Sequence, residues 1–369
     1  MKFPEYKLVK FQSENAHRSE YFMGASGPEA ISLQELLSLS SAEDRQRWQG
    51  FSLGFASSQG DEQLRELIAA EYPGLSAQNI ITFAGAQEAI YATYHALLNA
   101  ADKTQVITPV YEPLSIVAEL IGAEVNKVPM KNADSSWQLD MDAWTDRFHP
   151  HTKLAVINFP HNPTGAMISR LQLQVMVDQC RDYDCWLFSD EVFRGLEYRE
   201  ADRLPPLASS YEKGISLGVM SKAYGLGGVR IGWVACQDTK LIHQLHEIKQ
   251  YLSICNSRAD EVLASIVLKN SRKLLTQNVE MIRNNLQIIE AASEQFSDRV
   301  EWYPPMAGCV AYPRVKNVDA ANGFVEEVLD KTGILLVPGE CFQQGEAHFR
   351  AGFGGRSFAY QFSRFLKAH

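Results

Sequence analysis

The patterning of the chain predicts an α/β fold, a mostly parallel seven-stranded sheet between helices, followed by a smaller α+β domain. Three observations carry this. Short apolar runs alternate with amphipathic stretches from about residue 80 to 240. Those runs are apolar on both faces, as expected of strands in a sheet covered on both sides. After about residue 255 the alternation gives way to a long helical stretch and then short strands. With 369 residues, 46% of them hydrophobic, the chain is long enough for one large unit and one smaller one. The expected division is 46–260 for the large domain, with 1–45 and 261–369 forming an N-terminal arm plus a small C-terminal domain.

In chain order, the run IITF (Ile80–Phe83) ends at the small-residue turn Ala84–Gly85 and hands over to a helix, Gln87–Asn99. Gln105–Thr108 stops at a proline and precedes the helix Glu112–Ile121. Glu124–Val128 and Leu154–Asn158 follow as strands, the latter closed by an Asn/Pro/Gly-rich turn before the helix Arg170–Asp182. Trp186–Ser189, Ile215–Met220 and Gly232–Ala235 complete the seven, and the helix Asp238–Leu252 closes the series. Beyond it, Arg258–Phe296 reads as one long helical stretch. Short strands are expected near Gly308–Pro313, Ile334–Val337 and Phe349–Gly352 before a last helix, with the arm folding back to complete this part.

Composition excludes several functions. A net charge of −9 and a pI of about 5.6 argue against a general binder of nucleic acid or anionic membrane. No apolar run approaches the roughly 18 residues of a membrane span, and the first residues lack the pattern of a signal peptide. The six cysteines are scattered without a C-x-x-C pair, as for reduced thiols in a cytoplasmic protein. The nine histidines form no metal-binding pattern, so no metal is expected.

Sheets of this kind bind ligands at the carboxyl ends of their strands, and four polar signals fall there. AGAQEAI (Ala84–Ile90) joins a strand to a helix start, where free N–H groups and the positive dipole end can cradle an anion; an ordinary loop is the plain alternative. NFPHNPTG (Asn158–Gly165) is a turn that would aim the Asn162 amide across the sheet top, or serve as turn chemistry alone. In LFSDEVFRG (Leu187–Gly195), Asp190 ends a buried strand. It is either a helix cap or a carboxylate that needs a cationic partner. In ISLGVMSKAYGLGGVRIGWV (Ile215–Val234), Lys222 follows a buried strand, where partly apolar surroundings favour a lowered pKa and a usable amine; a snorkelling surface lysine is the alternative. Gly225, Gly227 and Gly228 let the chain turn so that Arg230 completes an anion site with the AGAQ loop. Anion cradle, amide donor, buried carboxylate, amine and arginine together match the needs of pyridoxal 5′-phosphate (PLP).

The order and spacing of GAQEAI, NFPHNPTG, SDEVFRG, SKAYGLGGVRIGW and HFRAGFG resemble the class I/II aminotransferases, of fold type I among PLP enzymes, over nearly the whole chain. The resemblance implies that Lys222 forms the Schiff base with the cofactor and shuttles the Cα proton, that Asp190 binds the ring nitrogen, and that Asn162 binds the 3-oxygen. Tyr111 would stack on the ring, and Gly85, Ala86, Gln87, Ser221 and Arg230 would surround the phosphate. Arg350 would take the substrate α-carboxylate, with Asn162 beside it and Ser26–Gly27 of the arm closing over it. A homodimer with sites at its interface is also implied, acting on an amino acid and, in transamination, a 2-oxo acid.

Three positions depart from the family pattern. Phe193 stands where a tyrosine usually donates to the 3-oxygen, Phe55 where the partner usually offers a tyrosine, and Val219 where a hydroxyl is common. Without the phenol at 193, the Schiff base is expected to stay protonated to higher pH. The family base rate favours an aminotransferase. FPHNPTGA, SKAYGLGG and Phe193 are also similar to a lyase or cyclase type that eliminates and cyclises a hydroxylated, arginine-like substrate; Glu14 and Glu20 could serve its guanidinium, although solvated charges of the arm are the more ordinary reading. No second arginine stands out as a reader of a distal carboxylate, which disfavours aspartate or glutamate as the main donor.

Overall fold

The computed structural model describes residues 4–367; residues 1–3 of the expected arm and 368–369 of the expected small domain lie outside it. Its centre is a seven-stranded sheet made of β1 (Ile80–Phe83), β2 (Lys103–Thr108), β3 (Glu124–Pro129), β4 (Thr152–Asn158), β5 (Trp186–Asp190), β6 (Gly214–Val219) and β7 (Gly232–Cys236). Their spatial order is β1-β7-β6-β5-β4-β2-β3. β7 runs antiparallel to both neighbours, and the remaining pairs are parallel.

Burial explains the unbroken apolar runs. On β4, Leu154 and Val156 join one core cluster with Phe188 and Leu217, while Ala155 and Ile157 join a second cluster on the other face with Leu187. Each face is covered by helices, among them α1 (Ala86–Leu97), α2 (Pro113–Ile121), α3 (Arg170–Asp182) and α4 (Thr239–Gln250). Their starts are legible in local chemistry. Ser169 and Gln172 form a reciprocal capping pair at α3, and Asp238 accepts from the N–H groups of Lys240 and Leu241 at α4.

Register places the site. Asn158 pairs with Asp190, Asp190 with Leu217, Val219 with Gly232, and Gly232 with Phe83. The carboxyl ends of β4, β5, β6 and β1 therefore lie side by side, and the loops that leave them meet.

The expected single helical stretch over 258–296 is divided into three: α5 (Arg258–Lys269), α6 (Ser271–Ala291) and a short helix, Ser293–Phe296. At the first break Asn270 leaves helical geometry and its side chain donates to Ile266 O at 2.8 Å, so a side chain takes up the helix's terminal carbonyl. The strand expected over Gly308–Pro313 is shorter, Val310–Ala311, and belongs to a three-stranded antiparallel sheet with Phe349–Gly352 and Val337–Pro338. The arm does fold back, since Tyr21–Phe22 pair in parallel with Ile334–Leu335. The last helix, Phe358–Lys367, buries Phe358, Phe362 and Phe365, which its turn brings to one face.

Candidate active site

Lys222 lies three residues beyond β6, half-buried, with its Nζ donating to Ser26 Oγ of the arm at 2.7 Å. Burial lowers its amine to about 8; the Arg350 and Arg230 guanidiniums act in the same sense, and the Asp190 carboxylate opposes them. Asp190, the last residue of β5, is buried and accepts from the Val192 N–H at 3.1 Å. Burial raises its carboxyl to about 7, against the pull of the Val192 bond and Lys222. The two groups therefore sit with pKa values far closer together than free lysine and aspartate have.

Across the site, Arg350 is almost wholly buried. Its Nε and Nη2 donate to the Gly24 carbonyl at 3.1 and 2.8 Å, its Nη1 donates to Asn162 Oδ1 at 3.0 Å, and its guanidinium lies 5.0 Å from the centre of the Phe342 ring. Burial lowers its pKa to about 10. Asn158, at the end of β4, orients this side. Its Nδ2 donates to Asp190 O and its Oδ1 accepts from the Asn162 N–H, both at 2.9 Å, so one side chain ties the end of β5 to the turn that carries Asn162.

The turn before α1 is built for close approach. Gly85 has φ +91°, and a Cβ there would stand 2.3 Å from Arg230 Nη2. Gly232 on β7 has no more room, since its Cβ would meet Gly85 C at 2.6 Å. Arg230, itself at φ +50°, donates from Nη2 to Ala84 O at 3.2 Å and from Nη1 to Gly227 O at 3.0 Å and Ser221 Oγ at 3.3 Å. Among the described residues no side chain caps Gly85, so the first-turn N–H groups of Ala86 and Gln87 stand at the positive end of the helix. Tyr111 donates its hydroxyl to Gln87 Oε1 at 2.9 Å. A Cβ on Gly27 would lie 3.2 Å from Ser221 O, so Ser26–Gly27 rest directly on Ser221–Lys222.

The structure thus brings Lys222, Asp190, Asn162, Arg350, Tyr111, Arg230, Ser221, the Gly85–Gln87 turn and Ser26–Gly27 into one place. Phe193 is fully buried against Gly308. Phe55 stands apart, 84% exposed, with its carbonyl accepting from Arg258 Nη2. Glu14 and Glu20 follow the more ordinary of their two readings, as surface charges of the arm. Glu14 pairs with Lys10, and Glu20 with Arg364, both at the surface.

Three residues escaped sequence reasoning. Asn158 carried a readable signal, a polar amide ending a buried strand. Cys309, a buried thiol near Lys222 and Arg350 that burial pushes up to about 12 and so keeps uncharged, carried none, because nothing in a scattered cysteine reports its neighbours. Tyr6 meets Tyr111 edge to face with ring centroids 6.3 Å apart, a contact between segments distant in sequence. Among the described residues no group of three or more His, Cys, Asp or Glu side chains could hold a metal ion, and no helix is long and apolar enough to cross a membrane.

Comparison with known proteins accords with this geometry. The chain is 31% identical to capreomycidine synthase of Streptomyces vinaceus over 80% of its own length and 75% of that protein's. It is 25% identical to arginine–pyruvate transaminase of Pseudomonas aeruginosa over 81% and 77%. A PLP-dependent aminotransferase from Streptococcus suis superposes with a TM-score of 0.91 at 24% identity, covering 100% of this chain and 97% of that one. The PLP-dependent cyclase OrfR superposes with a TM-score of 0.89 at 25% identity, covering 100% and 98%. The model of the aminotransferase class I and II family matches residues 39–357. The chain belongs to that family, has the fold of its type I PLP enzymes, and takes PLP as its cofactor.

Proposed function

We propose that this class I and II aminotransferase-family enzyme moves the amino group of an L-α-amino acid to a 2-oxo acid. The observation that carries the reading is the Lys222 amine, lowered to about 8, facing a buried carboxylate and a buried arginine fork.

The residues fit PLP. The close approach of Arg230 to Gly85 and the uncapped start of α1 form a cradle for a phosphate, with Ser221 alongside. Lys222 is the amine for the cofactor aldehyde, Asp190 the counter-charge for the ring nitrogen, Asn162 the amide beside the 3-oxygen, and Tyr111 the stacking ring. When bound, PLP supplies an electron sink that stabilises negative charge at the substrate Cα.

The chain's own residues do the rest. Arg350 binds the α-carboxylate, held in orientation by the Gly24 carbonyl and Asn162. Lys222 Nζ takes the Cα proton, and its lowered pKa keeps a useful fraction neutral near pH 7. Ser26, within hydrogen-bond reach of Nζ, orients the amine. The arm and Tyr111 exclude water. Phe193 offers no hydroxyl, so Asn162 is left as the polar neighbour of the 3-oxygen.

A second reading is a lyase or cyclase acting on a hydroxylated, arginine-type amino acid. It is favoured by Phe193 and by the 31% identity to capreomycidine synthase. In either case we read the enzyme as a cytoplasmic homodimer of two-domain subunits, divided as expected from the sequence. Leu53, Phe55 and Tyr251, 94%, 84% and 92% exposed, support a second copy covering that surface.

The test is mass-spectrometric product analysis of the PLP-loaded protein with an amino-acid panel that includes arginine and hydroxyarginines, each with and without 2-oxoglutarate or pyruvate. Transfer that requires the oxo acid supports the transaminase. Loss of water without any oxo acid overturns it in favour of the cyclase.

A further inference from the structure

The long helix α6 carries two asparagines with no part in the chemistry above. Asparagine is a poorer helix former than alanine or leucine, and an amide withdrawn from water needs hydrogen-bond partners. Both find theirs on other segments, and each of those segments bears a residue of the site. Asn278, partly buried, donates from Nδ2 to Ala223 O at 2.9 Å, on the residue that follows Lys222. Asn285, 7% exposed, donates from Nδ2 to Phe353 O at 2.9 Å and to Gly355 O at 2.8 Å. Those carbonyls lie just beyond the Phe349–Gly352 strand that carries Arg350.

Both gripped segments are fastened to the rest of the site. Ala223 is buried, and its N–H donates to Val192 O at 3.3 Å, two residues past Asp190. A Cβ on Gly195, further along that loop, would stand 2.9 Å from Leu275 Cδ1, so α6 rests against the loop one turn before Asn278. At the other end the Phe353 N–H donates to Cys309 O at 2.9 Å, and Gly354 O accepts from the Glu29 N–H of the arm at 2.8 Å. Asn278 and Asn285 are seven residues apart, on one face of α6 with the buried Ile282 between them. Their separation along the axis is about 10 Å, held by the helix's own backbone bonds.

We propose that Asn278 and Asn285 are positioning residues, and that α6 acts through them as a spacer fixing the Arg350 strand relative to the Lys222 loop. The inference rests on the reading of Arg350 as the α-carboxylate site and of the Lys222 loop as the cofactor end. It parts from simple packing at two points. A spacer matters only to a ligand that engages both ends at once. It also fails when either end is released, so losing the second grip adds little to losing the first. Two local, independent effects this far apart would instead add in free energy.

The experiment measures, by calorimetric titration of the cofactor-free full chain, the binding of two stable reduced adducts. Phosphopyridoxyl-L-alanine carries the cofactor's phosphate and an α-carboxylate; phosphopyridoxyl-ethylamine differs only in lacking the carboxylate. Asn278→Leu and Asn285→Leu keep the side-chain volume and delete the amide. Each is expected to weaken the alanine adduct about tenfold and to leave the ethylamine adduct within about twofold of its native affinity. The double variant is expected to match the weaker of the two single ones. Variants that bind the alanine adduct as the native chain does, that weaken both adducts alike, or whose losses multiply in the double variant overturn the inference. If a leucine variant does not fold, alanine at the same position carries the same comparison. Arg350→Met separates the two levels. If it leaves the affinity for the alanine adduct unchanged, the carboxylate-site reading itself fails. If it weakens that adduct while the asparagine variants do not, the failure belongs to the spacer inference alone.

Discussion

Gly85→Ala tests the cradle through a single methyl group. Gly85 sits at φ +91°, ψ 172°, a region reached almost only by glycine, and forcing alanine there costs about 1–3 kcal/mol. A second effect is separate from this strain. The new Cβ would lie 2.3 Å from Arg230 Nη2 and 2.9 Å from its Cζ, so the guanidinium must move and give up its bonds to Ala84 O and Gly227 O. The two effects appear in different assays. Strain acts on the cofactor-free protein; about 2 kcal/mol in a chain of this size lowers Tm by roughly 2–3 °C. Displacement of Arg230 acts on PLP affinity. Losing a charge-assisted contact to phosphate, worth about 2–3 kcal/mol, weakens binding about 30- to 150-fold. The assays are a thermal melt of the apo-protein and a visible titration with PLP. A variant that melts as the native chain does and binds PLP within threefold of it would refute the reasoning. A lowered melt with native affinity would keep the strain and remove Arg230 from the phosphate.

Two further outcomes follow from the buried charges. Arg350→Lys replaces a planar fork that now reaches Gly24 and Asn162 together with a point charge. The expected result is a fall of about 100-fold in kcat/KM with PLP affinity little changed; a fall under threefold would remove Arg350 from substrate binding. For Lys222 the sign is set by a folded pKa of about 8, below the 10.5 of free lysine. The neutral amine is the reactive form, so the rate at which PLP attaches to the apo-protein should rise with pH and level off just above pH 8. The same shift makes the unfolded chain bind more protons between about pH 8 and 10.5, so this group's contribution to stability rises with pH across that window. A rate still climbing tenfold per pH unit at pH 9.5 would contradict the lowered pKa.

Elements whose signal is local were legible. Strands buried on both faces must be apolar throughout, so β1 and the end of β4 are recognisable at the residue where turn chemistry begins. The break at Asn270 was not, because a helical pattern continues on both sides and only the side chain's bond to Ile266 O marks it. For Glu14 and Glu20 a surface position was the more ordinary expectation, but their partners were equally hidden. A charge in an arm gives no sign of whether it turns toward a site or toward Lys10 and Arg364.

The same division runs through the site. Residue order alone prescribes which chemical groups end the strands, since a lysine, a carboxylate, an amide and an arginine at those places have few other uses in common. Convergence belongs to the tertiary structure. Sheet register sets Asn158 beside Asp190 and Gly232 beside Phe83, and without it these groups are only neighbours of their own strands. Folding also creates the pKa values, because the low-dielectric surroundings that bring Lys222 and Asp190 toward neutrality exist only once the arm, Cys309 and Arg350 close around them. Contacts such as Tyr6 on Tyr111, or Lys222 on Ser26, join segments far apart in the chain. No local pattern can encode them, since the free energy that selects them comes from burying the whole sheet between its helices.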